Sequence, residues 1–558
     1  MGEKPTDPLH VVFTRTDSII SLRQVNTSYE TDVESLRQRI AESTRPAVMH
    51  NFGIQAYNPD STAVVVDVSE FFLADNEQMP PFSPYAPILG GGRWLVKEFK
   101  KDKSQLGEVK AFDDNVSVQS SLSYEVNVRD GRYYYIYKLP FTAVLTRSFV
   151  LLPEEPMRPR FADPRIGIFY SNKSAFSHDN KGIEPRFYAN RWRLEPADEI
   201  AFRQGRLVEP KQPIVFYVDN AFPEEWKEPI RQGILEWNKA FEKIGFKNVM
   251  VAKDFPTNDP EFDPDNIKYN CVRYCPIGMA NAQGPSWVDP RNNEIINASV
   301  LVYHDVIQLV NSMRFVQTAQ LDERVRTPKL PEDVVKESMR YIVAHEIGHT
   351  LGLMHNMAAS AAIPVEKYRD AEFMAKYGTT MSIMDYARFN YVAQPGDMER
   401  GVKLTPPRFG EYDRFLVKWN YTPLPNASTA KDEYKITSKW ISELSGNPIY
   451  RYGKQQGQII DPKSQTEDLG DNAMKASEYG INNLKYILGN LNNWVDKEDP
   501  DYSYRTSIYN GVIMQYLTYL MHVYGNVGGI YLNEKHVGDK VEAVMSVPAE
   551  KQKAAVKF

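Results

Sequence analysis

At 558 residues, 42% of them hydrophobic and 25% charged, the chain has material for roughly two to four folded domains with an apolar core in each. The net charge is −6, and the few basic runs, such as 97–105, are short and mixed with acids, which excludes the basic footprint of a nucleic-acid binder. Cys271 and Cys275 are too few for a disulfide-built scaffold; with no further soft ligand nearby they make a poor zinc site and either bridge locally or stay reduced.

Residues 1–155 read as a β-rich domain. Short β-branched and aromatic runs at 10–16, 62–73, 93–100, 117–128 and 132–152 predict strands. Turn signals at 58–61 (NPDS), 89–93 (LGGGR) and 128–132 (VRDGR) separate them, the last being a hairpin signal. A helix is expected over 27–44. The opening MGEKPT fits the loose pattern for N-myristoylation, but a start codon placed before a trimmed sequence is the simpler account. No signal peptide opens the chain.

A proline-rich stretch at 152–165 marks a boundary, and 156–205 reads as a linker or strap. Strands and helices then alternate. Strands are predicted at 213–219, 247–254 and 297–306. An amphipathic helix is predicted over 223–246, with Trp226, Ile230, Ile234, Trp237 and Phe241 on one stripe. This unit extends over 206–425. A mainly helical region occupies 426–558, with helical spacing at 476–495 and 504–525 whose Tyr and Leu stripes belong to the core. The last residues, 549–558, show no obvious closing element. The whole reads as an α+β multidomain chain. No stretch reaches the ~20 apolar residues of a membrane helix; the most apolar, 511–525, is broken by Gln515, Thr518 and His522.

The stretch VAHEIGHTLGLMHNM (343–357) carries the chemistry. Pro331 suits a first helical position, with Glu332 and Asp333 in the first turn. His345 and His349 are four apart, so both rings leave one side of that helix, and both can reach one zinc ion at about 2 Å. Glu346 is placed to reach a water rather than the metal. Gly352 can take the left-handed conformation that ends a helix, after which His355 can return to the same ion. Three neutral nitrogens and one open position describe a catalytic rather than a structural zinc. HExxHxxGxxH fixes five positions, so a chance match is on the order of one in ten thousand for such a chain. His304, in the preceding strand, reads as a core or rim residue. Ile347, Leu351 and Leu353 read as helix packing.

HEIGHTLGLMH resembles the metzincin clan of zinc metalloproteases, its first nine letters being most similar to the serralysin and matrixin branches. SIMDY at 382–386 resembles the clan's methionine turn, with Met384 as its methionine and Tyr386 where several branches carry a tyrosine that touches zinc or the oxyanion. The segments at 161–169, 191–196, 213–219, 236–248, 284–295 and 461–481 are similar to large bacterial, Bacteroidetes-type zinc-dependent metalloproteases with uncharacterised flanking domains. That resemblance implies a metzincin-like catalytic domain over 206–425, made of a twisted mixed sheet and an active-site helix. It also implies an exported protein, periplasmic, cell-surface or secreted. Two departures withhold specificity from any branch. Asn356 follows the third histidine, and the turn reads Met-Asp-Tyr. A matrixin-type cysteine switch is excluded, because both cysteines lie downstream of the first domain.

The implied reaction is zinc-dependent endopeptidase hydrolysis of a protein or peptide, with His345, His349 and His355 on zinc, Glu346 as general base and Tyr386 at the oxyanion. The segment 280–290, with Gly284, Ser286 and Trp287, is the candidate substrate-binding edge strand; a plain Gly/Pro-rich loop is its alternative. The acidic stretch 259–266 has the oxygens for calcium, with a solvated loop as the simpler reading. Two rival functions stay open: a surface binding or assembly protein with a residual zinc site, and a zinc hydrolase of non-peptide amides. The first domain's position also suits a lid or propiece.

Overall fold

The computed structural model describes residues 6–82, 93–178, 182–404, 407–495 and 499–558. Most of the LGGGR turn and the opening Met1–Pro5 lie outside them. The architecture is α+β and multidomain, β-rich at the start and helical towards the end.

The first part holds two antiparallel sheets. One orders Val11–Arg15, Ile19–Gln24, Ala47–Tyr57 and Val64–Val66. The other is built on the long hairpin of Asn115–Asp130 with Tyr133–Val150, where Gly131 takes φ +57° as the tight turn requires. Leu22, Phe52, Phe71, Phe72 and Val118 form a small core beneath the first sheet. Two expectations are corrected here. The run 62–73 is a strand only over Val64–Val66; a helical turn, Ser69–Phe72, follows and buries Phe71 and Phe72. The helix expected over 27–44 occupies Glu34–Ser43, because Tyr29–Thr31 pairs in parallel with the distant strand Tyr170–Phe176.

That pairing fixes the first part to the rest. Ser28 O accepts from Ser174 N at 2.7 Å, and Thr31 Oγ1 donates to Phe176 O. Arg186 grips Glu30 and Asp32. A second anchor corrects the calcium reading. Within 259–266, Asp263 and Asp265 both hold Lys110 Nζ at 2.9 Å, and Asn266 Oδ1 accepts from Asn115 Nδ2 at 2.8 Å. The carboxylates meet a protein cation, and calcium finds no support.

The central sheet orders Met250–Asp254, Ile214–Val218, Asn270–Cys275, Ile295–Tyr303 and Ala282–Gln283, with Ser286–Val288 also on Ile295–Tyr303. The first four strands are parallel; the 282–288 segment runs antiparallel along the edge. Buried parallel strands suit β-branched runs such as Ile214–Val218. The predicted 223–246 helix is two pieces, Glu224–Leu235 and Asn238–Glu242, and its stripe from Trp226 to Phe241 is fully buried. It packs on the ligand helix, Glu332–Thr350. A Cβ at Gly233 would stand 2.9 Å from Arg340 O, so only glycine permits the approach, and Trp237 Nε1 donates to Ala344 O at 2.9 Å. Pro331 caps that helix rather than opening its first turn.

The helix Val306–Thr318 and the strand Asn270–Cys275 carry no sequence expectation. Downstream, Glu411–Tyr421, Ala430–Leu444, Ala473–Val495 and Ser503–Tyr524 join one continuous core with the sheet, sharing Leu416, Ile441, Ile487 and Tyr519 with Phe216 and Val300. The 549–558 end forms a helix, Ala549–Lys557. Among the described residues no helix is long and apolar enough to cross a membrane.

Candidate metal centre

Helical spacing puts His345 and His349 one turn apart on the ligand helix. The helix then stops at Leu351, and Gly352 takes φ +85°. A Cβ at Gly352 would run into Asn190 O, a second demand for glycine there. The turn is strapped from outside: Gly352 O accepts from Phe169 N at 2.8 Å, and Met354 N donates to Gly167 O at 2.9 Å. Through this strap the chain doubles back and His355 faces the first two histidines.

The three rings converge by their Nε2 atoms. His355 Nε2 stands 3.2 Å from His345 Nε2 and 3.1 Å from His349 Nε2. Each Nδ1 meets a carbonyl oxygen: Ile383 O at 2.7 Å for His345, Leu353 O at 2.8 Å for His349, and the side-chain Oε1 of Gln455 at 2.9 Å for His355. With Nδ1 donating, each Nε2 presents a lone pair to the others, an arrangement that repels without a cation between them. Tetrahedral zinc with Zn–N of about 2.0–2.1 Å sets its nitrogens about 3.3 Å apart, so the donor set fits that ion in spacing, number and chemistry. Burial pushes all three histidines below their ordinary value, helped by the neighbouring histidines at His345 and at His349, which falls to about 3, and by the Arg388 charge at His355; this keeps the imidazoles neutral as ligation requires.

Glu346 is buried beside His345, and burial pushes its carboxyl up to about 8, with the Arg388 charge working the other way. Tyr386 lies at the same centre, its ring 4.5 Å from that of His355 and 5.4 Å from that of His345. Arg388, at φ +48°, stacks its guanidinium 4.4 Å over Tyr386 and pairs with Glu467. His345, Glu346, Tyr386 and Arg388 open onto a small cavity of about 60 Å³ walled by Val310 and Phe389.

The loop 382–386 lies beneath the ligand helix. A Cβ on Gly348 would collide with the Met384 sulfur and come within 2.9 Å of Trp237, so the methionine is pressed against the helix between the two ligand histidines. Two buried carboxylates pin this loop. Asp413 accepts from Ser382 Oγ (2.6 Å) and Ile383 N (2.8 Å), and Asp385 accepts from Ser360 N (2.7 Å) and Thr380 Oγ1 (2.9 Å); burial pushes both up to about 7.

The departure at Asn356 has a structural reason. Fully buried, it donates from Nδ2 to Arg451 O at 2.9 Å and accepts at Oδ1 from Gly453 N at 2.8 Å, while its own N–H donates to Met384 O at 3.0 Å. It thereby ties the third histidine to the 382–386 loop and to the 451–455 segment that presents Gln455. Sequence reasoning did not find Gln455, Asp413 or Arg388, since nothing in local spacing marks a partner supplied by a remote loop.

On the other side of His349 the edge segment crosses the ligand helix. A Cβ on Gly284 would strike Glu346 O, so that glycine allows the segment to lie against the helix backbone. Gly284 and Ser286 line a second cavity with His349; Trp287, next along the strand, does not line it. Ile347, Leu351 and Leu353 are buried packing residues. His304 sits at the rim, its Nδ1 2.7 Å from Tyr274 Oη and its ring stacked near Trp226. Cys271 and Cys275 are free and buried.

A twisted mixed sheet over a helix that ends in a three-histidine group defines a protein of the zinc-metallopeptidase type. Residues 327–558, which include the ligand helix and the 382–386 loop, match the family model described as Met-zincin, and the three-histidine group fits a zinc site of that type. Residues 2–197 match a model described as Domain of unknown function (DUF5117). No curated protein and no solved structure matches the chain.

Proposed function

We propose that the protein is an exported zinc-dependent endopeptidase whose catalytic unit spans 206–425, flanked by the β-rich 1–155, the strap 156–205 and the helical 426–558. The observation that carries the reading is the convergence of three Nε2 lone pairs, those of His345 and His349 lying 3.2 and 3.1 Å from that of His355, each with Nδ1 held by a carbonyl. His345, His349 and His355 would hold zinc, and Met384 would be the methionine of the turn beneath them. When bound, zinc supplies Lewis acidity and a water of lowered pKa. Glu346, beside His345, takes the proton of the attacking water and delivers it to the leaving amine. The Tyr386 hydroxyl donates to the oxyanion as it develops. The edge segment around Gly284, Ser286 and Trp287 holds the substrate backbone by strand addition, which keeps the scissile carbonyl against Glu346.

The test is a casein or peptide-library digestion with and without chelator, run beside elemental analysis. Stoichiometric zinc is expected and is lost in His349→Ala. Glu346→Gln is expected to keep zinc and fold while losing nearly all hydrolysis. Undiminished cleavage by Glu346→Gln overturns the reading.

A further inference from the structure

The second cavity beside the metal centre, of about 450 Å³, is walled from two parts of the chain. His349, Gly284 and Ser286 belong to the metal centre and its edge segment. Facing them are Asp7, Pro8, Thr27 and Ser28, from the first, β-rich part of the chain. Specific pockets run roughly 300–1,000 Å³, so this one has room for a few residues of an extended chain. Its position is continuous with the centre: the Phe169 ring on its floor lies 5.9 Å from the His349 ring.

The facing wall is built rather than incidental. Thr27 and Ser28 lead directly into Tyr29–Thr31, which is hydrogen-bonded in register to Tyr170–Phe176, and Ser28 O itself accepts from Ser174 N. Tyr170–Phe176 begins at the strap that holds the Gly352 turn, so one short path of backbone bonds joins the wall to the metal ligands. The ion pairs of Arg186 with Glu30 and Asp32, and of Lys110 with Asp263 and Asp265, hold the same interface at two separated points. A lid that swings clear would have to break all of these together, so the first part acts as a fixed wall.

The chemistry of the cavity names what it takes. Ser171 and Asn190 are bonded to Asn293, and Lys173 to Arg291 O; beside Asp7 and the apolar Phe169 and Val288, Thr27, Ser28 and Asn172 offer short, uncharged hydrogen-bonding side chains. They suit backbone amides and small polar side chains, and offer little to a long aliphatic one.

We propose that Thr27 and Ser28 are specificity-determining residues of the peptidase. They contact an extended peptide on the His349 side of the scissile bond and favour small, uncharged polar residues there. The proposal rests on the endopeptidase reading above. It makes the β-rich part a component of the substrate cleft, which no fragment of 206–425 alone would reproduce.

The test is cut-site profiling of the full-length zinc enzyme and its Ser28→Trp variant on one mixed peptide pool, with zinc content and melting temperature measured on both. The expected result is a changed residue preference on one side of the cut only. For peptides extended on that side kcat/KM should fall at least tenfold, while peptides truncated there are cleaved as before. Should Ser28→Trp lose zinc or fold, Thr27→Gln, a smaller intrusion, serves with the same readout. An unchanged profile in an active, folded variant overturns the inference and leaves the endopeptidase reading standing. Absence of any cleavage by the zinc-loaded wild type instead overturns that reading, and the inference with it.

Discussion

Gly348→Ala probes the packing under the ligand histidines. The new methyl would collide with the Met384 sulfur and stand 2.9 Å from Trp237 Cζ2 and 3.2 Å from Met384 Cε. Inside a helix alanine is otherwise favoured over glycine by about 0.5–1 kcal/mol, whereas overpacking a dense core costs about 1–3 kcal/mol. Packing wins, and the net loss of stability should be about 0.5–2 kcal/mol. The sharper effect falls on the metal. Met384 cannot yield without moving Ile383, whose carbonyl orients His345 at 2.7 Å. Disturbing such a partner typically costs 10–100-fold in metal affinity, and competition against a chelator of known strength should read that loss for zinc. Adding Met384→Ala makes room for the methyl, so the double variant should bind zinc more tightly than the sum of the single effects allows. Wild-type zinc affinity in Gly348→Ala, or strictly additive losses in the double variant, would refute the reasoning.

Gln455→Leu removes the acceptor of His355 Nδ1; because Gln455 is exposed, water can take its place, and zinc affinity should fall only about tenfold, the low end for such partners, with thermal stability little changed. The same chelator competition checks it. Away from the centre, burial pushes His522 down to about 4 while Nε2 donates to Thr466 O. It is neutral in the fold and gains a proton on unfolding below its ordinary value near 6.5. Stability is therefore lost as pH falls from about 6.5 towards 4, by about 2 kcal/mol between pH 7 and 5. Denaturant melts at those two pH values should show His522→Gln sparing that much of the acid loss relative to wild type.

Much of the local structure is legible in the chain because its physics is local. Four-residue spacing places His345 and His349 on one helix face whatever surrounds them, and Gly352 is the residue type able to take φ +85° where the helix stops. The stripe from Trp226 to Phe241 and the β-branched run Ile214–Val218 likewise carry their own burial pattern. Segments whose state depends on a distant partner are not legible in this way. Tyr29–Thr31 is a strand only because Tyr170–Phe176 pairs with it, and the acids at 259–266 meet Lys110 rather than a metal only because the β-rich part docks there.

The centre divides along the same line. Periodicity and turn chemistry determine the ligand residue types and the helix that bears two of them. Tertiary structure alone decides that Gln455, a hundred residues beyond His355, orients its ring, that Asp413 pins the loop holding Met384, and that Thr27 and Ser28 wall the cavity beside His349. Helix spacing is set by backbone geometry within a turn. Those partners are set by which surfaces bury against one another, and no local pattern encodes that.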